Sequence, residues 1–173
     1  MNIIGIDPGL TGAVAVYNSG TLTVLDMPRI ENDINALELY RIINQHLGPG
    51  PGSTIAYIER VGPMPRDGVK QAWRFSAAYT TTRVVLALLY VPMALVPATV
   101  WKRAYKLPGG ARGKDASRAR AIELFPRCAS QFARRKDSGR AEAALIALYG
   151  ALLQKTDVAA QAIYGAIPLQ AGK

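Results

Sequence analysis

Histidine and cysteine are almost absent from this chain of 173 residues. Cys128 is its single cysteine, so no disulfide can form within the chain. His46 is its single histidine, which excludes a His-rich zinc site and any mechanism that needs two imidazoles. A metal site in this protein would therefore consist of oxygen ligands.

Long apolar runs are also missing. The longest one, VVLALLYVPMALV, is too short to span a bilayer and contains Pro92. The beginning of the chain has no basic stretch before an apolar run, so it does not have the pattern of a signal peptide. These patterns predict a soluble, cytoplasmic protein.

Acidic residues are scarce relative to basic ones. The chain has 12 Asp and Glu against 21 Lys and Arg, which gives a net charge of +9. Such an excess favours a polyanionic partner, most simply nucleic acid, although a generically basic protein would show it too.

Apolar patterning and turn signals define a mixed α/β fold. Strands are predicted over 2–7, 12–18, 21–27, 54–59 and 91–96, and helices over 35–47, 69–90, 116–125 and 138–153, with a short helix opening at Pro97 and a glycine-rich basic loop over 107–114. Three strands in an antiparallel meander, followed by parallel strands joined through helices, predict a mixed five-stranded sheet with helices on both faces. We expect a single domain over 1–155 and a C-terminal tail over 156–173.

The helix predicted over 69–90 has an apolar face too wide for one solvent-facing helix. Part of that face must meet the sheet. The rest is a candidate for contact with another subunit.

Two predicted strands end in an acid. Asp7 closes NIIGID and is in phase with Ile3 and Gly5, and Glu59 closes TIAYIE in phase with Tyr57. The ends of sheet strands commonly bear functional groups. The simpler interpretations are a turn initiated by Asp7 before Pro8, and a local ion pair between Glu59 and its neighbour Arg60.

A third acid, Glu142, lies on the apolar stripe of the last helix, three residues before Leu145. An inward carboxylate needs a partner, either Arg140 or another buried base, or a metal ion. Asp137 stands just before this helix, where it could cap the helix or offer a further oxygen ligand. Together these acids predict a site for Mg²⁺ or Mn²⁺, of the kind in which two ions support phosphodiester hydrolysis.

Several motifs in order resemble Holliday junction resolvases of the RuvC type, especially their bacteriophage branch. They are GIDPGLTG, YIERV, GVKQAWRFSAAY, VPATVWKR, GKDAS and GRAEAALIALYG, and they extend over residues 1–153. The resemblance implies an RNase H-like fold, a homodimer, and symmetric nicking of four-way DNA junctions with two Mg²⁺ or Mn²⁺ ions to leave 5′-phosphates. The broad apolar face of helix 69–90 is the expected place of the dimer contact.

Carried over residue by residue, the resemblance makes Asp7, Glu59 and Glu142 catalytic metal ligands. Asp137 is the candidate fourth ligand, because the acid that the phage branch more often has before the glycine is Ser138 here. An aromatic residue of the bacterial branch is replaced by Gly62, which makes Met64 a candidate wedge at the junction. The predicted DNA-binding residues are Lys102, Arg103, Arg112, Lys114, Arg118, Arg134 and Arg135.

Three further functions are compatible with parts of this pattern. IDPGLTG also resembles the phosphate-binding turn of actin-like ATPases, but those proteins need a second nucleotide-binding half. An inactive DNA binder on the same fold would be expected to lack the acids. A nuclease acting on flaps, forks or RNA–DNA hybrids would use the same carboxylates, so the sequence does not separate it from a junction resolvase.

Overall fold

A computed structural model describes residues 1–60, 62, 68–109 and 111–165, with the side chains of 111, 112 and 157–165 left out. The strands are β1 (Asn2–Asp7), β2 (Ala13–Asn18), β3 (Thr21–Asp26), β4 (Arg29–Ile30), β5 (Asp33–Ile34), β6 (Thr54–Arg60) and β7 (Met93–Pro97). The helices are α1 (Ala36–Gln45), α2 (Val69–Leu88), α3 (Ala98–Ala104), α4 (Ala111–Leu124) and α5 (Ser138–Gly165). Two 3₁₀ segments, Pro126–Phe132 and Arg135–Asp137, lead into α5.

Five strands form one mixed sheet in the order β3-β2-β1-β6-β7. The β1–β2 and β2–β3 pairs are antiparallel, and the β1–β6 and β6–β7 pairs are parallel. Ser19 and Gly20 both have positive φ, as a two-residue hairpin turn between β2 and β3 requires. The predicted mixed sheet is therefore confirmed, whereas the small β4–β5 hairpin had no signal in the sequence.

The two faces of the sheet carry separate hydrophobic cores. Ile4 and Ile6 of β1 pack with residues of α1 and α2, including Leu39 and Leu86. Ile3, on the opposite face, belongs to the core formed with α3, α4 and α5. Alternation along β1 thus sets which side chains meet which helices, and it places Asp7 on the α5 face.

Helix α5 crosses the sheet at very close range. A Cβ atom on Gly5 of β1 would overlap the α5 backbone at Ala143 and Ala147. A Cβ on Gly139, in the first turn of α5, would overlap the backbone of Thr11 and Gly12. These two glycines let α5 begin directly beside the turn that follows Asp7.

The helices differ from the sequence-based expectation mainly at their ends. Helix α4 begins at Ala111, so Lys114 lies in its first turn rather than in the predicted loop. Helix α5 continues to Gly165, past the expected end at Leu153 and into the predicted tail. Pro97 ends β7 and caps α3 instead of opening it.

Helix α2 leaves an apolar stripe in solvent. Val69, Trp73, Val84 and Leu88 are exposed by 50% or more, whereas its sheet-facing side buries Ala78, Thr82, Val85 and Leu86. No helix in the described ranges is long and apolar enough to cross a lipid bilayer.

Candidate functional site

Asp7 and Glu59 end neighbouring parallel strands. The register pairs Gly5 with Tyr57 and Ile6 with Ile58, so the two acids follow as the next residues of β1 and β6. Both carboxylates occupy the α5 face of the sheet, because each is in phase with side chains that face α5. The strands thus hold the acids side by side on a rigid mount.

Glu142 reaches the same place from α5. It lies one turn after Gly139, whose contact with the β1–β2 turn positions the start of the helix. Burial, together with the charges of Glu59 and Glu142, raises the pKa of Asp7 to about 7. Burial and Glu142 also raise the pKa of Glu59. The structure therefore brings three predicted ligands into one cluster of mutually repelling carboxylates.

Each of these carboxylates is held at one oxygen by a neighbour. The backbone N–H of Gly9 donates to Oδ1 of Asp7 at 3.3 Å. The indole N–H of Trp101 donates to Oε1 of Glu59 at 3.3 Å. The hydroxyl of Ser117 donates to Oε1 of Glu142 at 3.2 Å. The hydrogen bonds of the described residues thus use one oxygen of each acid and leave the other without such a contact.

Basic side chains surround the cluster. The ammonium of Lys102 forms an ion pair with Oε1 of Glu142 at 2.9 Å, and the charge of Lys114 offsets a small part of the rise in the pKa of Asp7. Asp7, Glu142 and Lys114 line one open cleft of about 730 Å³. Its other wall is α2, which contributes Lys70, Gln71, Arg74 and Phe75. The cleft therefore has cations on both walls.

Asp137 is held by Arg134 and shares none of the described hydrogen-bond partners of the three clustered acids. It is 3% exposed, and Arg134 occupies both of its oxygens, through its backbone N–H at 2.9 Å and its guanidinium at 2.9 to 3.2 Å. These bonds hold the pKa of Asp137 below its usual value. Asp137 therefore completes a capping box on the 3₁₀ turn Arg135–Asp137, whereas the sequence had suggested it as a cap of the last helix itself. Nothing in this arrangement directs it towards Asp7.

The contacts of the three clustered acids distinguish between the roles that the sequence left open for them. Arg140 pairs with Asp26 through two short bonds, so Lys102 is the base that meets Glu142. Glu59 bonds to Trp101, and the described ion pairs do not include one between Glu59 and Arg60. The turn after Asp7 does form, through Gly9, and it coexists with the acid's place in the cluster.

The predicted DNA-binding residues occupy different environments. Arg103 and Arg135 are exposed. Arg118 is tied to the carbonyls of Phe132 and Ala133 and to Asp115, so it links α4 to the following 3₁₀ segment. The side chain of Arg112 and the whole of Met64 lie outside the described residues.

Four residues of the site were missed in the sequence. Trp101 and Ser117 are fully buried partners of Glu59 and Glu142, and Lys70 and Arg74 line the cleft. For Trp101, the only signal in the sequence was its position directly before the basic residue Lys102 on a short predicted helix. Ser117 sits in a mostly polar helix, where nothing distinguished it from a surface serine.

The donor set fits a hard divalent cation, but the site is not arranged as a finished metal centre. Within the described ranges, no group of three or more His, Cys, Asp or Glu side chains is arranged to hold a metal ion. The fit lies in the chemistry: burial first, and then the charges of Glu59 and Glu142, raise the pKa of Asp7, and a cation would offset both effects. The ammonium of Lys102 already neutralises the charge of Glu142 through their ion pair.

Comparison with known proteins identifies the fold. The sequence matches no protein-family model, and no curated protein sequence matches it significantly. The structure of Thermus thermophilus RuvC in complex with a Holliday junction substrate is similar with a TM-score of 0.62 at 15% identity, over 90% of this chain and 96% of that one. Another Thermus thermophilus RuvC structure gives a TM-score of 0.60 at 16% identity, over 91% of this chain and 97% of that one. The predicted RuvC-type, RNase H-like fold is confirmed.

Proposed function

We propose that this protein is a structure-selective endonuclease that nicks four-way DNA junctions with the help of divalent cations. The observation that carries the proposal is the cluster of Asp7, Glu59 and Glu142, of which Asp7 and Glu142 line a cleft with basic walls. Carboxylates that repel one another favour a divalent cation, and the basic walls favour a phosphate backbone. The two preferences together describe a metal-dependent phosphodiesterase.

Asp7, Glu59 and Glu142 are the residues that would hold the cations. Two bound Mg²⁺ or Mn²⁺ ions supply activation of water and stabilisation of the leaving oxygen in phosphodiester hydrolysis, with a 5′-phosphate as product. The chain's own part is to fix the ligands: β1 and β6 set Asp7 and Glu59, while Trp101 and Ser117 orient Glu59 and Glu142. Lys114, Lys70 and Arg74 bind and orient the scissile strand in the cleft.

The choice of a four-way junction over other DNA rests on the fold together with the charge. A structure with this fold contains a Holliday junction substrate, and the chain spans nearly the whole length of that protein. The net charge of +9 suits a large polyanion. A nuclease for flaps or other branched DNA on the same fold remains the second candidate, because the same cleft would serve it.

Symmetric nicking needs two active sites, so we propose a homodimer that uses the exposed stripe of α2. Trp73 is 77% exposed and Leu88 is 65% exposed, and such side chains gain stability when a second subunit covers them. The same helix lines the catalytic cleft with Lys70 and Arg74. Dimerisation through α2 would therefore link the two clefts.

The test is cleavage of a labelled four-way junction beside a matched linear duplex, with Mg²⁺, Mn²⁺ or EDTA, on a denaturing gel. Paired metal-dependent nicks at symmetric positions in the junction alone are expected. Equal cutting of the linear duplex would replace the proposal with a general nuclease. Cutting that persists in EDTA would refute the role of the carboxylates as metal ligands.

A further inference from the structure

The ion pair between Lys102 and Glu142 occupies the place where a metal ligand has to act. The ammonium lies 2.9 Å from Oε1, and the Glu142 side chain is only 9% exposed. Ser117, which is fully buried, donates to the same oxygen at 3.2 Å. The carboxylate is therefore neutralised by a lysine and has little access to water.

Lys102 also contacts the ring of its neighbour Trp101. Its ammonium lies 5.0 Å from the centre of the Trp101 ring, within the range of a cation–π contact. Trp101 is itself fully buried and donates to Glu59. One dipeptide of α3 thus contacts two of the three acids, and the lysine is positioned by the ring that orients Glu59.

A cation bound to Glu142 and the ammonium of Lys102 would repel each other at this distance. Two positive charges a few ångströms apart in a partly buried site are costly, since burial weakens the screening by water. The Lys102 side chain is 22% exposed, so its flexible stem has a route out of the site. The lower-energy arrangement of a metal-loaded site has Lys102 outside it.

We propose that Lys102 is an exchangeable counter-ion: it neutralises Glu142 in the metal-free protein, is displaced when a divalent cation binds, and then contacts a phosphate of the DNA. The inference rests on the proposed function for the identity of the polyanion. The exchange couples the binding of the divalent cation to the binding of DNA, because metal binding releases the lysine that contacts DNA. By linkage, DNA binding then favours the metal-loaded state. The sequence-based role of Lys102 in DNA binding then applies to the metal-loaded protein.

The first experiment measures Mn²⁺ binding by calorimetry at pH 8 without DNA, above the pKa of Asp7. Lys102→Met removes the competing ammonium and should bind Mn²⁺ about tenfold more tightly than the unmodified protein, within the usual range of coupling between sites. Lys102→Arg keeps the charge and should not show this gain. Lys155→Met is the matched control, since Lys155 is exposed at the opposite end of β1, beside Met1 and Ile3.

The second experiment needs no variant and covers the case in which Lys102→Met fails to fold. The rate of lysine acylation by a small activated ester is followed by peptide mass spectrometry in EDTA and in Ca²⁺. Ca²⁺ should raise the reactivity of Lys102 severalfold relative to Lys155, and added junction DNA should lower it again. Unchanged reactivity of Lys102 in Ca²⁺ would overturn the exchange.

The outcomes separate this inference from the proposed function. If the unmodified protein binds Mn²⁺ and cuts junctions but Lys102→Met binds Mn²⁺ no more tightly, the exchange is wrong and the nuclease stands. If Lys102→Met gains Mn²⁺ affinity while the unmodified protein cuts no DNA, the exchange stands and the nuclease is wrong. If no variant binds Mn²⁺, both are wrong.

Discussion

The indole N–H of Trp101 donates a hydrogen bond to Oε1 of Glu59 across 3.3 Å in the buried interior of the site. The two residues are 42 positions apart, on α3 and at the end of β6. The bond fixes one oxygen of the Glu59 carboxylate, which the charge of Glu142 repels. Residues that orient metal ligands in this way often matter nearly as much as the ligands.

Trp101→Phe tests this role, because it keeps most of the ring and removes the donor. We expect about a tenfold loss in cleavage rate together with a higher Mg²⁺ requirement, the usual size of effects on residues that orient ligands. Titrating Mg²⁺ in the junction-cleavage assay measures both quantities. Trp73→Phe is the control, since Trp73 is 77% exposed on α2. Equal behaviour of the two variants would show that the bond to Glu59 is dispensable.

Asp7→Asn should abolish cutting and stabilise the metal-free protein at alkaline pH. Because the folded protein raises the pKa of Asp7 from 3.8 to about 7, the acid favours folding at low pH and loses that contribution as pH rises through this range. In EDTA, the variant should therefore unfold at a higher temperature than the unmodified protein at pH 8. At pH 3 the two proteins should unfold at the same temperature. The expected difference at pH 8 is about 1–4 kcal/mol, at about 1.4 kcal/mol per pKa unit. Cutting at a normal rate would contradict the assignment of Asp7.

Asp137→Asn should show the opposite stability effect. Hydrogen bonds from Arg134 lower the pKa of Asp137, so its contribution is present at neutral pH and is lost as pH falls through the lowered pKa. The variant should lose about 1–2 kcal/mol at pH 7, as expected for a lost cap. Its Mn²⁺ affinity should stay normal, whereas that of Glu142→Gln should fall. A loss of Mn²⁺ affinity in Asp137→Asn would restore it as the fourth ligand.

Leu88→Glu tests the proposed dimer. Leu88 is 65% exposed, so the substitution costs the isolated subunit little, but it places a charge in an apolar contact between subunits. Light scattering after size exclusion should show a dimer for the unmodified protein and a monomer for the variant. Leu153→Glu, also on an exposed position but on α5, is the control. If the Leu88→Glu variant remains dimeric, the interface between subunits does not lie on α2.

Gly5→Ala tests the close approach of β1 and α5. The added methyl would meet the backbone of Ala143 and Ala147, which cannot move aside as a side chain can. We expect a loss of about 3 kcal/mol or more of unfolding free energy, at the upper end of overpacking effects. Gly50→Ala, which meets open space, should be nearly neutral. Denaturant unfolding of both variants provides the comparison.

The acids of the site were predictable because each one breaks a local pattern. Asp7 and Glu59 are charges at the ends of apolar strands, and Glu142 is a charge on an apolar helix stripe. Burial of an ionised group is costly enough that such positions are informative without a structure. Asp137 carried no comparable signal, and its two possible roles could be weighed only when its contact with Arg134 was visible.

The sequence by itself determined the mixed sheet, its helical layers and the three acids, because alternation along strands and spacing along helices are local properties of the chain. Only the tertiary structure decided what those acids touch. Trp101 and Lys102 reach them from α3, and Ser117 from α4, across 25 or more positions. Contacts of that kind depend on how the helices pack against the sheet, and no periodicity in the sequence records which side chains the packing brings together.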